Sequence, residues 1–266
     1  MKYKVRNHTF VICAYRESPY LEECILSLKS QTVKTKCMIV TSTDNSYIKG
    51  LAVKYGLPYF VNKESGKGIA ADWNFALRKT TTELVTIAHQ DDVYFPEFCE
   101  YVLKYANRAK QPLILFTDYS EKRNDKMVSQ NSLLQIKRIM LLPLKLPGLW
   151  GNRFVRRRIL SLGSPICCPS VTYVVENLPR TIFQAGYRSD LDWQAWECVS
   201  NLKGEFIYIP KNLMAHRIHA GSATSEIIAD NDRSKEDYEM FCKFWPKWIA
   251  GIIGKVYKMC EKSNEI

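Results

Sequence analysis

The sequence predicts an α/β fold in which a mainly parallel central sheet is flanked by helices, with helical additions toward the C-terminus. In the first half of the chain, short apolar runs of strand length alternate with stretches of helical periodicity, which calls for crossover helices between parallel strands covered on both faces. A chain of 266 residues, 46 % hydrophobic and 24 % charged, can also bury a sizeable core.

The elements follow in order. HTFVICAY (8–15) reads as a buried strand, and from Pro19 the segment PYLEECILSLKSQ sets Leu21, Cys24, Ile25 and Leu28 at helical spacing, with proline at the helix start. CMIVTST (37–43) and PYFVN (58–62) read as strands around a helix, SYIKGLAVKYG, closed by Gly56. GIAADWNFALRK (68–79) is a helix, LVTIAHQDD (84–92) a strand running into two acids, PEFCEYVLKYANRA a helix and PLILFTDY a strand. After about Asp125 the alternation breaks down. Beyond it lie a strand VTYVV (171–175), a Trp-rich helix DWQAWECVS (192–200), a strand FIYIP (206–210), a polar loop HRIHAGSATS (216–225) and an aromatic, Lys-rich tail (240–262). We divide the chain into one domain over 1–225, with halves meeting near 110, and a helical tail over 226–266.

The opening MKYKVRNHTF is charged, and no stretch approaches the roughly 18 to 20 apolar residues that span a bilayer, so the chain is expected to be cytoplasmic. Nine cysteines without CxxC or finger-like spacing argue for reduced thiols rather than a disulfide framework or zinc site. The net charge of +11 calls for an anionic partner. From Lys126 to Val175 there is no Asp or Glu, while eight cations (Lys126, Lys137, Arg138, Lys145, Arg153, Arg156, Arg157 and Arg158) stand among large aliphatics. That mixture suits an amphipathic piece in a lipid headgroup layer better than a base-stacking surface, so an anionic membrane face is expected and nucleic acid is not. A solvated basic face above an ordinary core is the plainer alternative.

The informative motif is LVTIAHQDDVYFPEF, which places Asp91 and Asp92 just past an apolar strand, where open α/β sheets bind ligands. Hard cations such as Mn²⁺ or Mg²⁺ take one or two carboxylates together with substrate phosphates. Taken alone, the pair could equally form a turn and cap the next helix.

Five features in order, namely the strand HTFVICAYRES, the helix with Ser27, Leu28 and Gln31, a second strand, the Gly68-to-Asn74 helix and IAHQDD, resemble the family 2 glycosyltransferases over about residues 8–225. The resemblance implies an inverting enzyme of GT-A fold, with 1–110 binding a nucleotide sugar, UDP-linked by preference, and 111–225 binding a glycan or lipid-linked acceptor in surface polysaccharide synthesis. It places Ala14, Tyr15 and Glu17 in the nucleotide loop, Asn74 and Asp91 beside the donor, and Asp92 on the metal, a Mn²⁺ or Mg²⁺ ion. The second strand ends in TSTD instead of an acid-rich turn, leaving Thr41 or Ser42 where relatives contact the base. The late loop implies Arg217 for the leaving diphosphate and His219 as a metal ligand. For the catalytic base RSDLDWQAW offers Asp190 and Asp192; aligning Trp196 with the family's aromatic prefers Asp192, and the other acid is then a helix cap. Two rival readings are a sugar-phosphate nucleotidylyltransferase, disfavoured because AYRESPY lacks the glycines of its first loop, and a non-enzymatic binding module, which leaves the strand-end acids unexplained.

Overall fold

The computed structural model describes residues 1–64, 68–124, 126–219 and 233–262, the last four of these by backbone alone. Among the described residues nine strands form one sheet in the order β3-β2-β1-β4-β8-β6-β9-β5, with β7 beside β6. These are β1 (His8–Ala14), β2 (Lys36–Thr41), β3 (Tyr59–Val61), β4 (Leu84–His89), β5 (Val93–Tyr94), β6 (Pro112–Arg123), β7 (Lys126–Val128), β8 (Val171–Val174) and β9 (Glu205–Ile218). The helices are α1 (Leu21–Lys29), α2 (Ser46–Tyr55), α3 (Ile69–Lys79), α4 (Phe98–Ala106), α5 (Ser132–Leu141), α6 (Arg153–Leu160), α7 (Leu191–Ser200), α8 (Arg233–Cys242) and α9 (Lys247–Lys262).

The predicted alternation produces the parallel block β3-β2-β1-β4. Beyond β4 the sheet becomes mixed: β8 enters antiparallel between β4 and β6, while β6 and β9 run parallel. Strands β1 and β4 are buried almost throughout, as strands covered on both faces must be. The face that α1 buries contains the four apolar residues that predicted the helix, Leu21, Cys24, Ile25 and Leu28. Asn45 caps α2 by accepting from the Ile48 N–H at 2.9 Å, and Gly56 ends it in the left-handed region at φ 63°.

Ser27 and Gln31, two of the residues that carry the family resemblance, have a physical task. The Ser27 hydroxyl accepts from the Tyr94 N–H at 3.1 Å, and the Gln31 amide bonds the Phe95 carbonyl at 2.8 Å and the Cys99 N–H at 3.0 Å. Helix α1 thereby braces the chain that leaves the Asp pair.

Two expectations change. The strand predicted over 206–210 is only the start of β9, and 216–218, expected in a polar loop, extend it because Glu121, Lys122 and Arg123 of β6 pair with His216, Arg217 and Ile218. Residues 220–225 of that loop lie outside the described residues. The basic run, in turn, is not one solvated face. Arg156 is buried against the Leu202 and Gly204 carbonyls, Arg157 pairs with Glu197 at 2.7 Å, Arg138 with Asp118 at 2.9 Å, and Lys137 turns inward to the Tyr119 hydroxyl at 3.0 Å.

Candidate active site

In the parallel block, Ala14 pairs with Thr41 and Cys13 with His89, so β1, β2 and β4 end level with one another. Their following loops meet at one edge, where ligands of such sheets bind. The loop after β1 is clasped by Gln90, whose amide accepts from the Tyr15 N–H at 2.9 Å and donates to the Tyr15 carbonyl at 3.1 Å. Arg16 takes a left-handed backbone, φ 54°, and its N–H bonds the Thr43 hydroxyl at 2.6 Å. A non-glycine residue held at positive φ is strained, and such strain collects at functional loops. Ala14 is buried at the strand end, while Tyr15, half exposed, and Glu17 project outward. Thr41 is buried and accepts from the Thr43 N–H at 3.0 Å, so it shapes the turn.

At the end of β4, Asp91 and Asp92 face residues delivered by β9. Pairing of Val93 with Ala215 carries His216 and Arg217 directly over the Asp pair. Asp92 is completely buried; its Oδ1 accepts from the Arg217 N–H at 2.8 Å and lies 3.0 Å from His216 Nδ1. Among the described residues its Oδ2 has no hydrogen-bond partner, and it lies 3.8 Å from His89 Nδ1. Asp91 Oδ2 lies 3.0 Å from His219 Nε2.

His89, Asp91 and Asp92 bring one ligand atom each within 4.8 Å of one another. Two carboxylates and an imidazole suit a Mn²⁺-like cation, and a fully buried carboxylate oxygen with no partner is the kind of atom an ion satisfies. Burial pushes the His89 imidazole down to about 4 despite the opposing charge of Asp91, which leaves it neutral and able to ligate. For His216 burial acts in the same downward sense, but the charge and hydrogen bond of Asp92 outweigh it and raise its affinity for a proton.

Three of the expected site residues have protein partners here. His219 bonds Asp91, whereas the cation-sized trio is completed by His89. Arg217 is buried: its Nε donates to the Asp91 carbonyl at 2.8 Å, its guanidinium bonds Glu23 of α1, and it lies 4.2 Å over the Tyr20 ring. It supports the Asp pair from behind. Asn74 is also buried, with its amide committed to the Phe183 carbonyl at 2.8 Å and the Ile182 N–H at 3.1 Å. It holds Phe183 against Trp73, which in turn stacks on His89 at 5.0 Å.

The two candidate bases differ sharply. Asp190 stands at the N-cap of α7 but makes no side-chain capping bond; it is buried and hydrogen-bonded to Asp237. Burial first, then the charges of Asp237 and Asp192, hold its carboxyl well above the usual carboxylate range, so it is protonated at neutral pH. Asp192 is partly exposed, and its Oδ1 accepts from the Trp193 N–H at 2.6 Å. Burial raises it to about 6 against the opposing pull of that hydrogen bond and of Lys137 and Arg233. Burial pushes the Cys167 and Cys168 thiols up, and the charges of Asp92 and Asp192 both add to the effect.

Three neighbours of the site were missed as functional candidates. His89 was legible as the residue preceding QDD on an apolar strand. Asp72 of α3 accepts from the Ser42 hydroxyl at 2.7 Å and the Asn62 amide at 2.8 Å, which puts a carboxylate beside the acid-poor TSTD turn. Lys137 belongs by sequence to the basic run, and only the fold turns it inward to Tyr119, where its charge favours the ionised form of Asp192.

Residues 9–163, more than half of the chain, match glycosyl transferase family 2. The chain belongs to that family. It is a glycosyltransferase, and the rival readings as a nucleotidylyltransferase or a non-enzymatic module are thereby set aside. A search of curated protein sequences finds no match. Among solved structures, the family fold recurs in S. aureus TarS 1–349 in complex with UDP-GlcNAc, at TM-score 0.60 and 14 % identity, covering 93 % of this chain and 70 % of that one. The mannosyltransferase PcManGT from Pyrobaculum calidifontis, in complex with GDP-Man and Mn²⁺, gives TM-score 0.61 and 15 % identity over 91 % of this chain and 64 % of that one. Glucosyl-3-phosphoglycerate synthase from Mycobacterium tuberculosis, in complex with phosphoglyceric acid, gives 0.55 and 13 % over 90 % and 80 %. These likenesses show the GT-A fold.

Proposed function

We propose that this family 2 enzyme transfers a hexosyl group, with inversion, from a nucleotide sugar to a glycan or lipid-linked acceptor, with Asp192 as the base. The observation that carries the reading is the division of labour between acids: an ion-sized trio at the end of β4, and in the first turn of α7 a partly exposed carboxyl raised to about 6. A base with such a pKa is mostly ionised at neutral pH yet basic enough to take a proton as the acceptor oxygen attacks the anomeric carbon. Asp190, protonated and buried, is unsuited to that task.

The loops after β1 and β2, with Tyr15, Glu17, Thr41 and Asp72, form the nucleotide side. UDP is favoured as the nucleotide, in line with the UDP-GlcNAc held by TarS, although PcManGT holds GDP-Man. Asp91, Asp92 and His89 would hold Mn²⁺ or Mg²⁺, with His219 positioning Asp91. When bound, the ion neutralises charge on the leaving diphosphate. Arg217 holds the Asp92 carboxylate through its N–H and the Asp91 main-chain carbonyl through its guanidinium.

An acceptor presented at a membrane fits the apolar surface. Trp248, Ile252 and Val256 stand four residues apart on α9, each more than half exposed, beside exposed Lys247, Lys255 and Lys258. Ile136, Ile139 and Leu146 are exposed on and just past α5. No described helix is long and apolar enough to cross a membrane, so contact would be peripheral, at the cytoplasmic face, in the service of surface polysaccharide synthesis. The nucleotide-binding and acceptor-binding halves, 1–110 and 111–225, and the membrane-contacting tail 226–266 belong to the same proposal.

The test is a thermal-shift and turnover screen with UDP-, GDP- and dTDP-sugars, with and without Mn²⁺. A stabilisation of several degrees by one nucleotide class, larger with Mn²⁺, is expected because a ligand of the native state raises apparent stability. No response to any of them would refute the donor reading.

A further inference from the structure

We infer that Glu236, on α8, is a positioning residue of the active site: its carboxylate holds the turn over residues 188–190 and thereby sets where α7 presents Asp192. The inference rests on the reading of Asp192 as the base.

Glu236 is 9 % exposed. Its oxygens accept from the Arg188 N–H at 2.9 and 3.1 Å, from the Ser189 N–H at 2.9 Å and hydroxyl at 2.8 Å, and from the Asp190 N–H at 3.0 Å. Three consecutive backbone N–H groups converging on one anion form a nest, and this one lies at the positive end of α7. The donors belong to the N-cap residue Asp190, whose own side chain makes no capping bond, and to the two residues before it. A carboxylate from a separate helix thus fixes the chain as it enters α7, and the adjacent Asp237 engages the Asp190 carboxyl. Further along the same two helices, Phe241 meets Trp193 edge to face at 5.1 Å. Helix α8 therefore grips α7 at its first residues, on either side of the position from which Asp192 projects. The nucleotide loops of β1, β2 and β4 make none of these contacts. Loosening the grip should impair proton removal from the acceptor while leaving donor binding alone.

The variant is Glu236→Gln, which puts an amide NH₂ among donors that need an acceptor; Glu236→Asp keeps both oxygens on a stem one methylene shorter. With Glu236→Gln, kcat should fall about 10- to 100-fold, less than the full worth of a general base, with donor Kd within about twofold of the wild type. Transfer to acceptor should fall more than hydrolysis of the donor by water, and the acid limb of the pH profile should move. Glu236→Asp should recover part of both. If Glu236→Gln folds and shows wild-type kcat, pH profile and transfer-to-hydrolysis ratio, the inference is overturned, even where its melting temperature drops. If it does not fold, Ser189→Ala removes a single bond of the nest and is judged on the same ratio and pH profile. Asp192→Asn separates the two readings: full turnover there refutes the base itself, whereas an inactive Asp192→Asn beside an unaffected Glu236→Gln refutes the positioning alone.

Discussion

Replacing Asp192 by Asn is the sharpest perturbation, because it removes the proposed base while keeping its size and its capacity to accept from the Trp193 N–H. General base catalysis contributes about 10² to 10⁴-fold, or roughly 3 to 5 kcal/mol at the transition state, so kcat should fall by that factor with donor Kd unchanged. The pH dependence supplies a second number. A group raised to about 6 must lose its proton before it can act, so kcat/KM should rise with pH through 6 and level off above 7. At pH 5 the ionised fraction is about one-tenth, and activity should be about tenfold below the plateau; an ordinary aspartate near 4 would show no such loss. Burial sets that raised value, against the Trp193 N–H, Lys137 of α5 and Arg233 of α8, all of which favour the ionised form. Asp190→Asn is the control. A protonated carboxyl and an amide are nearly isosteric, so it should cost less than about tenfold in kcat. The assay is nucleotide release with acceptor, run from pH 5 to 9. An active Asp192→Asn beside an inactive, folded Asp190→Asn would refute the assignment and shift the base by two residues.

Asp92→Asn should abolish Mn²⁺-dependent nucleotide binding and transfer, because an amide is a weaker ligand for a hard cation; unimpaired activity in that variant, or of the wild type in EDTA, counts against the metal role. Asp72→Ala should weaken donor binding about 10-fold, near 1.4 kcal/mol and at the lower edge of what a lost charged hydrogen bond is worth, and blunt discrimination among nucleotides; unchanged donor Kd and nucleotide preference would return Asp72 to a purely local role with Ser42 and Asn62. The protein should sediment with anionic vesicles, less so as salt screens charges over a Debye length of about 8 Å, and Trp248→Ser with Ile252→Ser should weaken sedimentation further; no sedimentation at low salt would leave α9 without a membrane role.

The parallel block was legible because its signals are local. Apolar runs, helical spacing and the glycine that ends α2 all act within a few residues, and each survives in the structure. The Asp pair was legible for the same reason, since a strand end and two acids occupy adjacent positions. What the sequence hid are relations between distant segments. The commitment of Asn74 to 182–183 and the burial of Arg217 beneath the Asp pair depend on partners more than a hundred residues away. The basic run misled because charge counting assigns every cation to solvent, whereas Arg156 is spent on buried carbonyls and Arg157 on Glu197. Strand β9 was cut short because His216 to Ile218 are too polar to read as strand, yet backbone pairing with β6 keeps them extended whatever their side chains.

The placement of these distant partners has a consequence for how the site is divided along the chain. The family match spans residues 9–163, which contain the β1 and β2 loops and the Asp pair. Both supports of the site come from later: β9 delivers His216 and Arg217 onto Asp92, and α8 grips the turn that precedes Asp192. A mutation in β9 should therefore register first in metal and donor binding, and one in α8 first in turnover, although the two elements follow one another in sequence. The Asp192 carboxyl owes its raised pKa to burial among α7 and its neighbours, with Arg233 of α8 pulling the other way. Helix α8 thus acts on Asp192, the proposed base, twice: once through the backbone nest at Glu236 and once through charge.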